Sequence, residues 1–220
     1  MNLVFIVWFT FLNLFARVDA PEFKGGAKYL ASFITRSMIY PEYSKQNCLQ
    51  GTIQVSFQLT HKGKIFGSKV LKGFGTDLDK EALRIIRLTS GKWSVPSSFD
   101  TTQAVVIPIN FSLKEYNCNE YSVDDIRHAI SAYHAREDLS RAIFNFYEKK
   151  SNGSYSQQDE AKILDLKARL GYDERFNDRI IRQALQKLKQ GDNDSACEDF
   201  NLIRKLGSEK SKKHIADHCL

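Results

Sequence analysis

Ile53, Val55, Phe57 and Leu59 alternate with Gln54, Ser56 and Gln58 along residues 53–59. A period of two predicts a strand with one face buried and one wet. A second extended run follows Lys62-Gly63, so 52–60 and 64–72 are predicted as a hairpin. Gly63 supplies the positive φ that its turn needs. Upstream, Ala27, Leu30, Phe33, Ile34 and Met38 recur at helical spacing over 25–38. Tyr40-Pro41 stops that helix, because proline pushes its predecessor out of the helical region. Downstream, Leu78, Ala82, Ile85, Ile86 and Leu88 share one broad face of a helix over 77–88, and 103–113 reads as a third strand. The predicted order is helix, hairpin, helix, strand.

The pattern changes near residue 120. Helical periodicity covers 122–150, 156–170, 174–190, 194–206 and 208–218, with Asn152-Gly153, Gly171, Gly191-Asp192 and Gly207 between them. Short turns between helices imply antiparallel pairs packed in series. Charge marks the same boundary. Residues 1–119 hold 14 Lys and Arg against 8 Asp and Glu, whereas 120–220 hold 18 of each. The whole net charge of +6 thus sits in the first half, without the dense basic run of a nucleic-acid binder.

Composition adds compartment. With 42% hydrophobic residues, 26% charged residues and 4 prolines in 220, the chain is globular and not low-complexity. The apolar stretch 3–15 would rise about 20 Å as a helix, short of the roughly 30 Å of a bilayer core. With Val18-Asp19-Ala20 after it, residues 1–20 read as a signal peptide and the chain as exported. Four cysteines in an exported chain predict disulfides, and their three pairings stay open at this point.

Candidate chemistry is sparse. Gly73-Phe74-Gly75 after a strand has two glycines of a dinucleotide fingerprint, but the third position is Leu78. Asp77 and Asp79, at the start of the next helix, suit its positive end and would repel a phosphate. His214 and His218 lie one helical turn apart and could form a zinc site with Cys197; a solvated helix end with a disulfide is the preferred reading. No H-E-x-x-H or G-x-S-x-G occurs. Trp93 and Phe111 read as core rather than as binding anchors. We therefore expect no catalytic residue, no metal, no cofactor and no small-molecule substrate.

Residues 25–114 resemble the C-terminal domain of TonB-type energy transducers, in the form common in Bacteroidetes. The likeness rests on Tyr40-Pro41, Gly51 before the strand with Phe57, Gly63, Val70, Gly73 and Gly75. It continues through Asp79-x-Glu81-Ala82-Leu83, Trp93 with Pro96, and Pro108-Ile109-x-Phe111. The resemblance implies an αββαβ module with a three-stranded antiparallel sheet, here 21–119; with the all-α helical-hairpin domain that periodicity predicts over 120–220, the expected fold class is α+β. It also implies a non-catalytic domain that binds an extended segment of an outer-membrane receptor, or another envelope protein, by strand addition. The location implied is the periplasm or envelope of a Gram-negative bacterium. Residues 188–219 resemble the tetratricopeptide-like tails that follow such domains, through Gly191-Asp192, Ala196-Cys197, Asp199-Phe200, Leu206-Gly207 and Cys219. A transducer of this family usually carries a long Pro-rich spacer. Here about seven residues separate Ala20 from the first helix, a reach of at most about 25 Å, so recognition is the part expected to carry over and force transmission stays open.

Two structural expectations follow. Proline is tolerated mainly on edge strands, so Pro108 predicts that the third strand is an edge. The expected partner-binding segment is Ala104, Val105, Val106, Ile107, Pro108, Ile109, Asn110, Phe111 and Ser112. If the third strand runs antiparallel to the first, Cys48 and Cys118 meet at one end of the sheet. Folding back at Gly207 likewise brings Cys197 to Cys219. A second functional reading is an exported adaptor that binds partners through its helical domain.

Overall fold

The computed structural model describes residues 20–219; the apolar stretch read as a signal peptide lies outside the described residues. Five strands and eight α-helices follow one another: β1 (Glu22–Phe23), α1 (Gly26–Ser37), α2 (Glu42–Gln46), β2 (Gly51–Leu59), β3 (Ile65–Lys72), α3 (Asp77–Arg87), β4 (Trp93–Ser94) and β5 (Val105–Phe111). Then come α4 (Val123–Ser151), α5 (Gln157–Arg169), α6 (Glu174–Lys189), α7 (Asn193–Lys205), a short 3₁₀ turn and α8 (Lys212–His218). The fold is α+β, with a helical C-terminal region. Among the described residues no helix is long and apolar enough to cross a membrane.

The main sheet has the order β3-β2-β5, antiparallel throughout. Alternation along β2 does what its pattern dictates. Ile53, Val55, Phe57 and Leu59 are wholly buried, while Thr52 and Gln54 on the other face are exposed. Leu78, Ala82, Ile85 and Ile86 of α3 close over the inner face, joined by Leu30, Phe33 and Ile34 of α1. Trp93 is core: it packs edge-on against Phe23 and donates its indole N–H to Thr89 Oγ1 at 2.9 Å. The hairpin turn needs Gly63. Its φ is 73°, and a side chain there would run into the Trp93 carbonyl.

The helical region builds a second core on Ala184, Ala196 and Phe200, with Ile181, Leu185, Leu188 and Ile215 around them. It is tied to the first by buried charge. Glu81 and Arg84, one turn apart on α3, form a two-pronged pair at 2.7 Å. Arg84 also donates to Ser37 O at 2.5 Å, and across to Gln190 at 2.8 Å and Asp192 at 3.1 Å. One guanidinium therefore links the end of α1, α3 and the α6–α7 turn. Removing it would strand the Glu81 carboxylate, whose burial already pushes its pKa up.

Candidate functional site

β5 ends the sheet, with β2 its one strand neighbour among the described residues. Its register against β2 is unbroken over seven pairs, from Gly51↔Phe111 to Phe57↔Val105. The pairing passes through Gln54↔Pro108 without a shift. A proline has no N–H to give a ladder, so an unshifted register fits a ring nitrogen turned away from β2. On each flank of Pro108 an outer row of backbone groups lies beyond the last strand, where an added strand would pair.

The nine residues expected to bind a partner divide by the strand period. Ile109 and Phe111 are buried and Val105 and Ile107 partly so, all packed on the core. Ala104, Val106, Pro108, Asn110 and Ser112 are exposed, Val106 by 44%. The inward row fixes the strand; the outward row and the backbone edge are what a partner can reach. Behind the strand, Tyr40 packs edge-on to Phe111 at 5.7 Å and donates to Leu49 O at 2.6 Å. Burial pushes its phenol up to about 12, so it stays a neutral donor. Asn110 meets Thr52 across the strands, and Leu113 N–H donates to Gln50 at 3.1 Å.

A disulfide pins one end. Cys48, just before β2, is bonded to Cys118, just after β5, with Cα atoms 5.5 Å apart. Cys197 and Cys219 form the second bridge. Neither sulfur of that pair is a thiolate, so the zinc arrangement with His214 and His218 lacks its sulfur ligand. His214 instead stacks on Phe200 at 4.9 Å. Among the described residues no cluster of three or more His, Cys, Asp or Glu could hold a metal ion.

The opposite edge, β3, is less suited to strand addition. Its pairing with β2 slips at two places, Gly67 has φ 60°, and Lys69 and Lys72 are exposed. Bulges and lysines of this kind blunt an edge. The Gly73–Gly75 turn is closed internally. Asp79 accepts the N–H groups of Phe74 and Gly75, both at 2.9 Å, so its carboxylate sits where a phosphate would.

Residues 36–113 match the family model described as the C-terminal of the Gram-negative bacterial TonB protein. Among solved structures, the NMR structure of the Helicobacter pylori TonB C-terminal domain is 28% identical. The match covers 40% of this chain and 95% of that one, with a TM-score of 0.34. No curated protein matches. From the end of α1 to just past β5, the chain is therefore similar to the C-terminal domain of the Gram-negative bacterial TonB protein.

Proposed function

We propose that this chain is a non-catalytic, exported cell-envelope protein. Its TonB C-terminal domain adds an extended segment of an outer-membrane receptor, or of another envelope protein, as a fourth strand beside β5, in outer-membrane transport. The observation that carries the reading is the contrast between the two edges: β5 is straight and in register, whereas β3 is bulged and lysine-bearing. Each main-chain hydrogen bond to the added strand contributes about 0.5–1.5 kcal/mol net. Affinity then comes from several such bonds, and the exposed Val106 and Asn110 side chains add selectivity.

The test uses a photo-crosslinking side chain at Asn110 and, separately, at Lys69 on the opposite edge, in cells that make the full chain. Crosslinks to an envelope protein from position 110 and none from 69 support the reading. Crosslinks from 69 alone, or from neither, contradict it. Val106→Pro removes an edge group next to Pro108. It should cut crosslinking from position 110 by about tenfold, a loss of one or two main-chain bonds, with a much smaller change in melting temperature.

A further inference from the structure

α2, α3, α4, α6 and α7 enclose a cleft of about 530 Å³ between the sheet domain and the helical region, and no residue of β5 lines it. That volume is in the range of ligand-binding clefts. Five of the eleven charged side chains that line it are held in ion pairs. Arg84 is paired with Glu81 and Asp192, Lys187 with Asp199, and Lys80 with Glu137. Glu42 accepts from Gln46, and Asp77 from Ser44.

Three arginines stand outside these pairs: Arg87 of α3 donates its Nε to Ser68 at 3.0 Å, and the other two lie over rings. Arg136 of α4 and Arg179 of α6 have no ion-pair partner among the described residues. Each lies over an aromatic ring instead, Arg136 at 4.7 Å from the Tyr172 ring centre and Arg179 at 5.3 Å from that of Phe176. Those two rings touch each other at 4.8 Å, and the Tyr172 hydroxyl is fixed by a 2.6 Å hydrogen bond with Ser140. The guanidinium groups are thus positioned without being neutralised. Arg179 Nε is buried and has no hydrogen-bond partner. A donor left in that state is costly unless an acceptor arrives. Beside the arginines lie Tyr43, Tyr133, Ile180 and Leu202, an apolar wall next to a pair of planar, two-pronged donors. Glu42, Asp77 and Glu198 are cleft carboxylates without an ion-pair partner among the described residues, and they set a limit on how much negative charge can enter.

We propose that this cleft is a second protein-binding site, which takes an acidic peptide segment. A carboxylate side chain of the partner seats on the Arg136 and Arg179 forks, and a neighbouring aromatic or aliphatic side chain packs on the apolar wall. A carboxylate matches a planar guanidinium fork in two parallel hydrogen bonds. The site is separate from the β5 edge, so one chain can hold two segments of a partner, or two partners, at once.

The experiment is selection of random displayed peptides on the full, disulfide-bonded chain, followed by fluorescence anisotropy with the enriched peptide, synthesised and labelled. Enriched sequences should carry Asp or Glu beside an aromatic or aliphatic residue. The double variant Arg136→Gln, Arg179→Gln should weaken binding by about tenfold or more, the loss of a two-pronged charged contact. Arg136→Lys and Arg179→Lys keep the charge but lose the fork, and should also weaken it while melting like the wild type. Val106→Pro should leave this affinity unchanged, which separates failure here from failure of the β5 reading. Enrichment of peptides without acidic residues overturns the proposal, as does equal binding by the double variant. Displacement of the peptide by millimolar inorganic phosphate also overturns it, since the forks would then be a phosphate site.

Discussion

Asp79 shows how one residue settles a motif. A carboxylate two residues into α3 suits the helix dipole, and here it also reaches back to the N–H groups of Phe74 and Gly75. The loop needs no anion from outside because it is already satisfied. Asp199 is a residue of the opposite kind. Burial raises its carboxyl from 3.8 to about 6, and the Lys187 ammonium, 2.7 Å from Oδ2, offsets this only in part, with Glu198 and Glu81 adding repulsion. Between about pH 4 and pH 6 the folded chain keeps a proton that the unfolded chain releases. The stability this group contributes is therefore fully present below about pH 4, is lost as pH rises through about 6, and is level above that. In Asp199→Asn the titration is absent. The melting temperature of the wild type relative to that variant should fall as pH is raised from about 4 to about 7 in calorimetry. A constant difference would mean that Asp199 is already ionised across the range.

At the scale of elements, helix ends were well marked. Ser122 and Asp125 form a reciprocal cap at the start of α4, and Asp173 and Asp192 cap α6 and α7. The order of helix, hairpin, helix and strand was legible for the same reason: each long element carries its own period. Short elements were not. β1 and β4 are two residues each and pair only with each other, which no local pattern announces. α2 follows Pro41 at once and is five residues long. The disulfides act on elements too. Cys48–Cys118 spans a sequence separation of 70 and Cys197–Cys219 one of 22. In the chain-entropy view they contribute about 4 and about 3 kcal/mol. Cys48→Ser with Cys118→Ser should lower the melting temperature more than Cys197→Ser with Cys219→Ser, and it also frees the end of β5. The reverse order of melting temperatures would show that native contacts around the second bridge outweigh loop length.

For the whole molecule, the boundary near residue 120 is less sharp than the change in pattern suggests. Ala129 belongs to the core of the sheet domain, and Ile126 and Ile130 pack on it. Tyr43 donates its hydroxyl to Ala129 O at 2.7 Å and packs against Tyr133 at 5.2 Å, and Lys80 pairs with Glu137. The first four turns of α4 therefore serve the sheet domain. A fragment of residues 20–137 should be more stable than one of 20–119 by about 2–4 kcal/mol, the partial burial of several apolar side chains, as read by urea denaturation. Equal stability of the two would place the working boundary at 120 after all.

The sequence by itself determined the long elements and the match of 36–113 to the TonB C-terminal family, because periodicity, prolines and turn glycines are local and survive without a structure. It also anticipated which strand is an edge, through Pro108, since a missing N–H is a property of one residue. Only the tertiary structure decided which of two edges is the straight one, since bulges arise from pairing and β3 has no register alone. Only it brought Arg84 of α3 to Asp192, 108 residues along the chain. Arg136 and Arg179 look in sequence like two more solvated charges on helix faces. Their lack of partners, and the rings beneath them, come from how α4 and α6 pack, because long-range charge placement is fixed by three-dimensional packing and leaves no periodic trace.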